Sequence, residues 1–262
     1  MDLKGAKGMK IRKIVITILV LIIISVVFSN YNTSPKTIIT NLLNQSYIKD
    51  GDLQYRVYLF GVLPVGNATI YKPVTKDFEG KKAGYLYLAA ENTKLTKLTF
   101  NGRAKLESYI DAKLLKPIIF KQTLSIKGQK DINKEVRYDY NEGTMTINGV
   151  KRNISNETFD PLSAILNIRR LDFGKTNNVE LNINTNQKTY LLKGNILLEP
   201  ISIRNQSFTL ATLKSEIKRK DGNPYHKSSI TAVFLKDQEN IPILIKIFSG
   251  GVFLKIKLVK IR

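Results

Sequence analysis

Few residues in this chain have the type and spacing that chemistry requires. His226 is the single histidine, so a cluster of imidazole ligands is excluded and any Ser-His-Asp arrangement would depend on that one ring. It sits in Asp221-Gly-Asn-Pro-Tyr-His226, a turn-rich loop with no Gly-x-Ser-x-Gly elbow nearby, and reads as a solvated loop histidine. The chain has no cysteine, which removes disulfides, thiolate metal sites, cysteine nucleophiles and an acylated lipoprotein cysteine. No phosphate-cradling glycine loop, dinucleotide fingerprint or calcium-loop series is present. Paired carboxylates remain, because Asp111, Asp139, Asp160 and Asp237 can meet in space as a general acid and base. The plainer reading of three of them is local: Asp160 caps a helix, and Asp139 and Asp237 stand near turns. No cofactor and no metal is expected.

The element that positions these groups is 159–170, Phe-Asp-Pro-Leu-Ser-Ala-Ile-Leu-Asn-Ile-Arg-Arg. Asp160 is a good N-cap and Pro161 fits the first helical position, where a missing N–H costs nothing. Leu162, Ile165, Leu166 and Arg169 follow at helical spacing, so one face is apolar and ends in a guanidinium. Arg169 and Arg170 suit the negative end of the helix dipole. This is the clearest helix in a chain otherwise made of strands, and it reads as a plug laid against a curved sheet.

Around it the period is two. Leu53, Tyr55, Val57 and Leu59 alternate with polar residues, Gly61, Pro64 and Gly66 mark a turn, and 67–71 begins the return strand. A third strand is expected at 85–90, and an irregular or partly helical stretch around Leu95, Leu98 and Leu106, with Gly102 as a weak point. Ile118, Phe120, Leu124 and Ile126 share a strand face, and 135–140 with 144–150 form a hairpin. Beyond the helix, strands are expected at 179–183, 189–193, 196–198, 213–218, 229–235, 241–248 and 252–261. The last two are joined by Ser249-Gly-Gly251, a plain hairpin signal. The fold class is therefore mainly β: a single curved antiparallel sheet, as an open half-barrel or sandwich, with one short plug helix.

The domain plan has three parts. Residues 1–30 are a signal peptide or N-terminal membrane anchor. Five basic residues precede an apolar run from Ile14 to Phe28, which as a helix spans roughly 22 Å against a hydrocarbon core of ~30 Å. Val27 and Ser29 suit cleavage before Asn30; alternatively Arg12 and Lys13 snorkel and the helix stays as an anchor. Either way the positive flank stays in the cytoplasm and the rest is exported, to lie facing the periplasm, anchored in the inner membrane or released. Residues 31–52 are a linker leading into a small helix at Ile38, Ile39, Leu42 and Leu43, and 53–262 form the exported domain.

The charge is strongly positive, 42 basic against 21 acidic residues for a net +21. That favours anionic partners such as lipid head groups or envelope polymers, although lysine, isoleucine and asparagine are abundant throughout, as an AT-rich genome would produce. Nucleic acid is not expected, because the lysines are scattered and exported. Lys255 and Lys257 share a face of the last strand, opposite Leu254, Ile256 and Leu258, and read as a solvated face, an edge protected by lysines or a stripe toward anionic lipid.

Several motifs together resemble a bacterial envelope family, domain-of-unknown-function family 3108. They are Leu53-Gln-Tyr55 with Gly61 and Gly66-Asn-Ala68; Ser108-Tyr-Ile-Asp111 with Pro117 and Phe120; Tyr138-Asp139; Asp160-Pro-Leu-Ser163 ending at Arg169; and Asp237, Pro242 and Gly251. The resemblance implies an exported, single-domain β protein of the Gram-negative periplasm with no established activity and no catalytic residues. By fold analogy it further implies a half-barrel that holds acyl chains under a helical lid. In that arrangement the Asp160 helix is the lid or plug, Ser163 is a structural polar residue, and Arg169 pairs with Asp111 or Asp237. The expected function is non-enzymatic binding of an apolar or amphiphilic ligand, or else a packed scaffold that contacts another envelope component.

Overall fold

The computed structural model describes residues 34–44, 51–94, 96–98, 101–185, 188–220, 227–236 and 239–262. The expected N-terminal hydrophobic helix, His226 and Asp237 lie outside these residues. No helix among the described residues is long and apolar enough to cross a membrane.

The described residues form one large, open, curved sheet and two α-helices, α1 (Pro35–Asn44) and α2 (Pro161–Arg169). Before α2 run β1 (Leu53–Leu59), β2 (Leu63–Ile70), β3 (Val74–Phe78), β4 (Lys81–Asn92), β5 (Gly102–Ile110), β6 (Pro117–Ile126), β7 (Ile132–Asp139), β8 (Thr144–Ile147), β9 (Val150–Asn153) and β10 (Thr158–Phe159). After it come β11 (Asn178–Thr185), β12 (Lys188–Ile203), β13 (Gln206–Arg219), β14 (Ser228–Leu235), β15 (Ile241–Ser249) and β16 (Val252–Ile261).

The sheet order runs β10 to β16 in sequence, then β1, β2 and β4 to β9, with β3 paired to the free half of the β4 edge. The first strand thus zips antiparallel onto the last, Leu53 facing Ile261 and Leu59 facing Leu254. The two ends of the sheet, β9 and β10, are neighbours in sequence but not in the ladder. Side chains bridge the gap: Tyr140 Oη donates to the Thr158 carbonyl at 2.6 Å, and Asn182 Nδ2 to Ser155 Oγ at 2.8 Å. Only β10 on β11 is parallel, so nearly every connection is a short hairpin, which the alternating pattern favours.

The expected strands form, β3 and β10 are added to them, and there are four further differences. Residues 189–198 are not two strands: Gly194 sits inside the 16-residue β12, where a Cβ would lie 2.6 Å from that of Ser215. The glycine lets two strands approach rather than ending one. β12 turns into β13 at Arg204-Asn205, both left-handed without a glycine. Leu106 belongs to β5, not to a helical stretch. An additional tight turn at Asn148-Gly149, both at positive φ, separates β8 from β9 and matches the Asn-Gly preference of such hairpins.

The linker expectation is also corrected. Ile38, Ile39 and Leu42 of α1 are fully buried in one core cluster with Leu53, Tyr55, Phe208, Leu235 and Leu258, so this helix belongs to the domain. A second cluster joins β4 to β8 with Leu162 and Leu166, and a third joins β11 to β14 with Ile168 and Phe173. α2 therefore stands between two cores. Burying Leu162, Leu166 and Ile168 contributes roughly 1.5–3 kcal/mol each.

Candidate ligand cleft at the carboxyl end of the buried helix

The amino end of α2 is a buried polar knot. Asp160 is fully buried and accepts four hydrogen bonds: from the N–H groups of Leu162 (2.7 Å) and Ser163 (3.1 Å), and from the hydroxyls of Ser163 (2.8 Å) and Ser108 (2.7 Å). Ser163 closes the reciprocal cap, its Oγ accepting the Asp160 N–H at 3.1 Å. Burial raises the Asp160 carboxyl above its ordinary value, and the hydrogen bonds only partly offset it. Burial, and after it the nearby Asp160 charge, push the Tyr138 hydroxyl well above the usual range. The fit is that of a cap holding a helix in an apolar interior, with no room for substrate.

Asp111 does not reach Arg169. Its Oδ1 accepts the N–H groups of Lys113 and Leu114 at 2.8 and 2.7 Å, and those bonds lower its carboxyl below the ordinary value. This shapes the turn between β5 and β6, where Leu115 takes a left-handed conformation and offers its carbonyl to Asn167 Nδ2 at 3.0 Å. Asp111 thus helps to seat α2 through Asn167, a residue the sequence did not mark. Asp139 likewise accepts from the N–H groups of Asn141 and Glu142, both at 3.0 Å. Among the described residues, no three carboxylates or histidines come together as metal ligands.

The expected helix face is only part of what α2 buries. Leu162 and Leu166 are buried and Ile165 half-buried, but Ser163, Ala164 and Ile168 are buried as well. The helix is enclosed on several sides, which a single apolar stripe does not foresee.

At the carboxyl end the wall opens. A cleft of about 450 Å³ is lined by Leu53, Ile70, Tyr71, Leu166, Arg169 and Glu239, with Lys72 and Arg170 on its rim. Beside it a narrow slot of about 20 Å³ runs between α2 and the sheet, past Leu86, Tyr87, Leu162 and Ile165. That slot holds about one water, so the helix–sheet contact is filled and the free volume lies at the mouth.

Arg169 enters this mouth from the last helical turn. Its side chain is 13% exposed, and its one carboxylate neighbour among the described residues is Glu239, 68% exposed and 3.9 Å from Nη2. Its Nε is buried with no hydrogen-bond partner. Asn240 holds the helix end in place, Nδ2 donating to the carbonyls of Arg169 (2.7 Å) and Leu171 (2.9 Å). Glu239 and Asn240 are both left-handed, each at φ 50°, a conformation an asparagine tolerates better than a glutamate. Neither was marked by the sequence, since their role depends on a β14–β15 turn meeting a helix some seventy positions earlier.

Two of the contacts among the motifs from which a family resemblance is read join distant segments. Ser108 meets Asp160, and Tyr55 Oη donates to the Pro242 carbonyl at 2.9 Å. Residues 54–257 match the family described as Protein of unknown function (DUF3108). The chain belongs to that family. No curated protein matches it. A crystal structure of a beta-barrel-like protein of domain of unknown function DUF1849 from Brucella abortus is similar in fold to this DUF3108 chain. The TM-score is 0.54 at 9% identity, over 82% of this chain and 99% of that one. A DUF1089-family protein from Pseudomonas aeruginosa aligns at TM-score 0.34 and 11% identity, over 65% of this chain and 86% of that one.

The Lys255 face, in contrast, is no sheet edge. β16 is paired on both sides, and Lys255 is buried, its Nζ 5.1 Å from the Tyr58 ring centre. Edge protection is therefore ruled out for these lysines.

Proposed function

We propose that this DUF3108 protein is a non-enzymatic, periplasm-facing envelope protein that holds an apolar or amphiphilic ligand in the cleft at the carboxyl end of α2. The observation that carries the reading is the cleft itself. Its volume of about 450 Å³ falls within the range of small-molecule sites, about 300–1,000 Å³. Leu53, Ile70, Tyr71 and Leu166 provide an apolar wall, in which β1, β2 and α2 place Leu53, Ile70 and Leu166 while Tyr71 stands just past the end of β2. Similarity in fold to another β-barrel-like protein of unknown function supports the architecture and leaves the ligand to the site. The basic and apolar N-terminal sequence, as anchor or cleaved signal, would place the domain at the inner membrane, within reach of lipid or of an anionic envelope polymer.

The test is native mass spectrometry of the protein exported by its own N-terminal segment and purified from the envelope. Added mass in the range of a fatty acid or phospholipid, lost on denaturation, supports the reading. A bare polypeptide counts against it. The 20 Å³ slot favours one alternative, a scaffold whose interior is filled by its own side chains. That reading gives a bare polypeptide accompanied by an envelope partner.

A further inference from the structure

We infer that the cleft selects an anionic amphiphile, whose carboxylate or phosphate is held by Arg169 while its alkyl chain lies along Leu53, Ile70 and Leu166. This rests on the proposal that the cleft binds a ligand and names the chemistry of that ligand's polar end. A guanidinium is costly to remove from water unless a partner compensates it. Arg169 is nearly enclosed, yet its Nε has no partner and its nearest described carboxylate is a solvated glutamate at 3.9 Å, beyond hydrogen-bond range. Of the other polar groups nearby, Asn240 Oδ1 is also buried without a partner, and the following are committed. The Tyr55 hydroxyl donates to Pro242, Asn240 Nδ2 to the carbonyls at the helix end, and Asp52 Oδ1 accepts the Lys72 N–H at 2.8 Å.

The rim adds to the same preference. Lys72 and Arg170 line the cleft together with Arg169, against Glu239 as the one acidic wall residue among the described residues. A guanidinium presents a planar fork of donors that fits a carboxylate or a phosphate. Its position in the last turn of α2 fixes where such a group would sit, and the apolar residues start directly beside it. A small inorganic anion would leave those apolar walls in water, whereas an uncharged amphiphile would leave Arg169 unpaired.

The experiment titrates the full-length protein, in a non-ionic detergent, with dodecanoate, dodecyl phosphate, dodecanol and inorganic phosphate, and reads bound ligand by native mass spectrometry. Dodecanoate and dodecyl phosphate are expected to bind at least about tenfold tighter than dodecanol, the effect of one charge-assisted hydrogen bond, with inorganic phosphate alone not retained. Arg169→Gln is expected to remove most of that difference and leave dodecanol binding unchanged. Glu239→Gln, which removes the competing carboxylate and leaves the guanidinium, is expected to tighten the anionic ligands only. This second variant keeps the test decisive if Arg169→Gln fails to fold. Equal affinity for dodecanol and dodecanoate in the parent overturns the inference while leaving a ligand cleft in place. Retention of the charge preference in folded Arg169→Gln overturns it as well. Tight binding of inorganic phosphate alone makes this a free-anion site and overturns the amphiphile. Binding of none of the four overturns both the inference and the ligand-cleft reading.

Discussion

Ser108 donates a hydrogen bond to Asp160 at 2.7 Å, tying the middle of β5 to the cap of α2 across 52 positions of sequence. The same carboxylate caps the helix, so one buried group holds both the start of α2 and its placement on the sheet. Asp160→Ala is expected to lower stability by about 2–4 kcal/mol, combining a lost N-cap with buried donors left unsatisfied. Urea unfolding measures it; a loss under about 0.5 kcal/mol, the scale of an ordinary surface change, would mean that the knot does not hold the helix.

The ionisation of Asp160 has its own signature. Its folded carboxyl titrates above the ordinary value of 3.8 because burial disfavours the charge. The stability it contributes is complete below that value and is lost as pH rises through the raised folded value. The advantage of the parent over Asp160→Asn should therefore shrink as pH climbs from the acid range toward neutrality. A difference that is flat with pH would show that Asp160 is not the titrating group.

Among the described residues Arg169 contacts no buried carboxylate, so removing its charge should not destabilise the fold. Arg169→Met keeps the apolar stem and relieves the desolvation of an unpaired guanidinium, and its stability should match the parent's or exceed it by up to about 2 kcal/mol. A drop in melting temperature would reveal a partner that the described residues do not show.

Leu166 lines both the cleft and the adjoining slot. The slot has no space for an indole, so in Leu166→Trp the ring should project into the cleft and displace ligand from a folded domain. Ligand retention equal to the parent's, with unchanged circular dichroism, counts against the cleft as the binding place.

Ile39 is fully buried in the cluster that joins α1 to β1, β14, β15 and β16. Ile39→Asp should cost roughly 3 kcal/mol or more, through lost packing and a buried carboxylate. A melting temperature like the parent's would return α1 to the status of a linker.

The sequence by itself determined the local elements. Asp160-Pro161 starts the helix, the alternation from Leu53 to Leu59 makes a strand, and Ser249-Gly-Gly251 closes the last hairpin, because caps, periods and turn residues act over a few positions. It also showed which catalytic groups the chain does not contain, since a missing cysteine or a second histidine cannot be supplied by folding. What only the tertiary structure decided are the relations between distant segments. Gly194 resembles a strand break until Ser215 is seen beside it; α1 resembles a linker until its isoleucines reach the core. Asp111 and Arg169 resemble a pair until one is found shaping a turn and the other facing the cleft beside Glu239. The reason is physical: hydrogen bonds to the nearest backbone are written in the neighbouring residues. The partner of a buried charge, and whether an enclosed space is filled or left open, depend on side chains brought together from opposite ends of the chain.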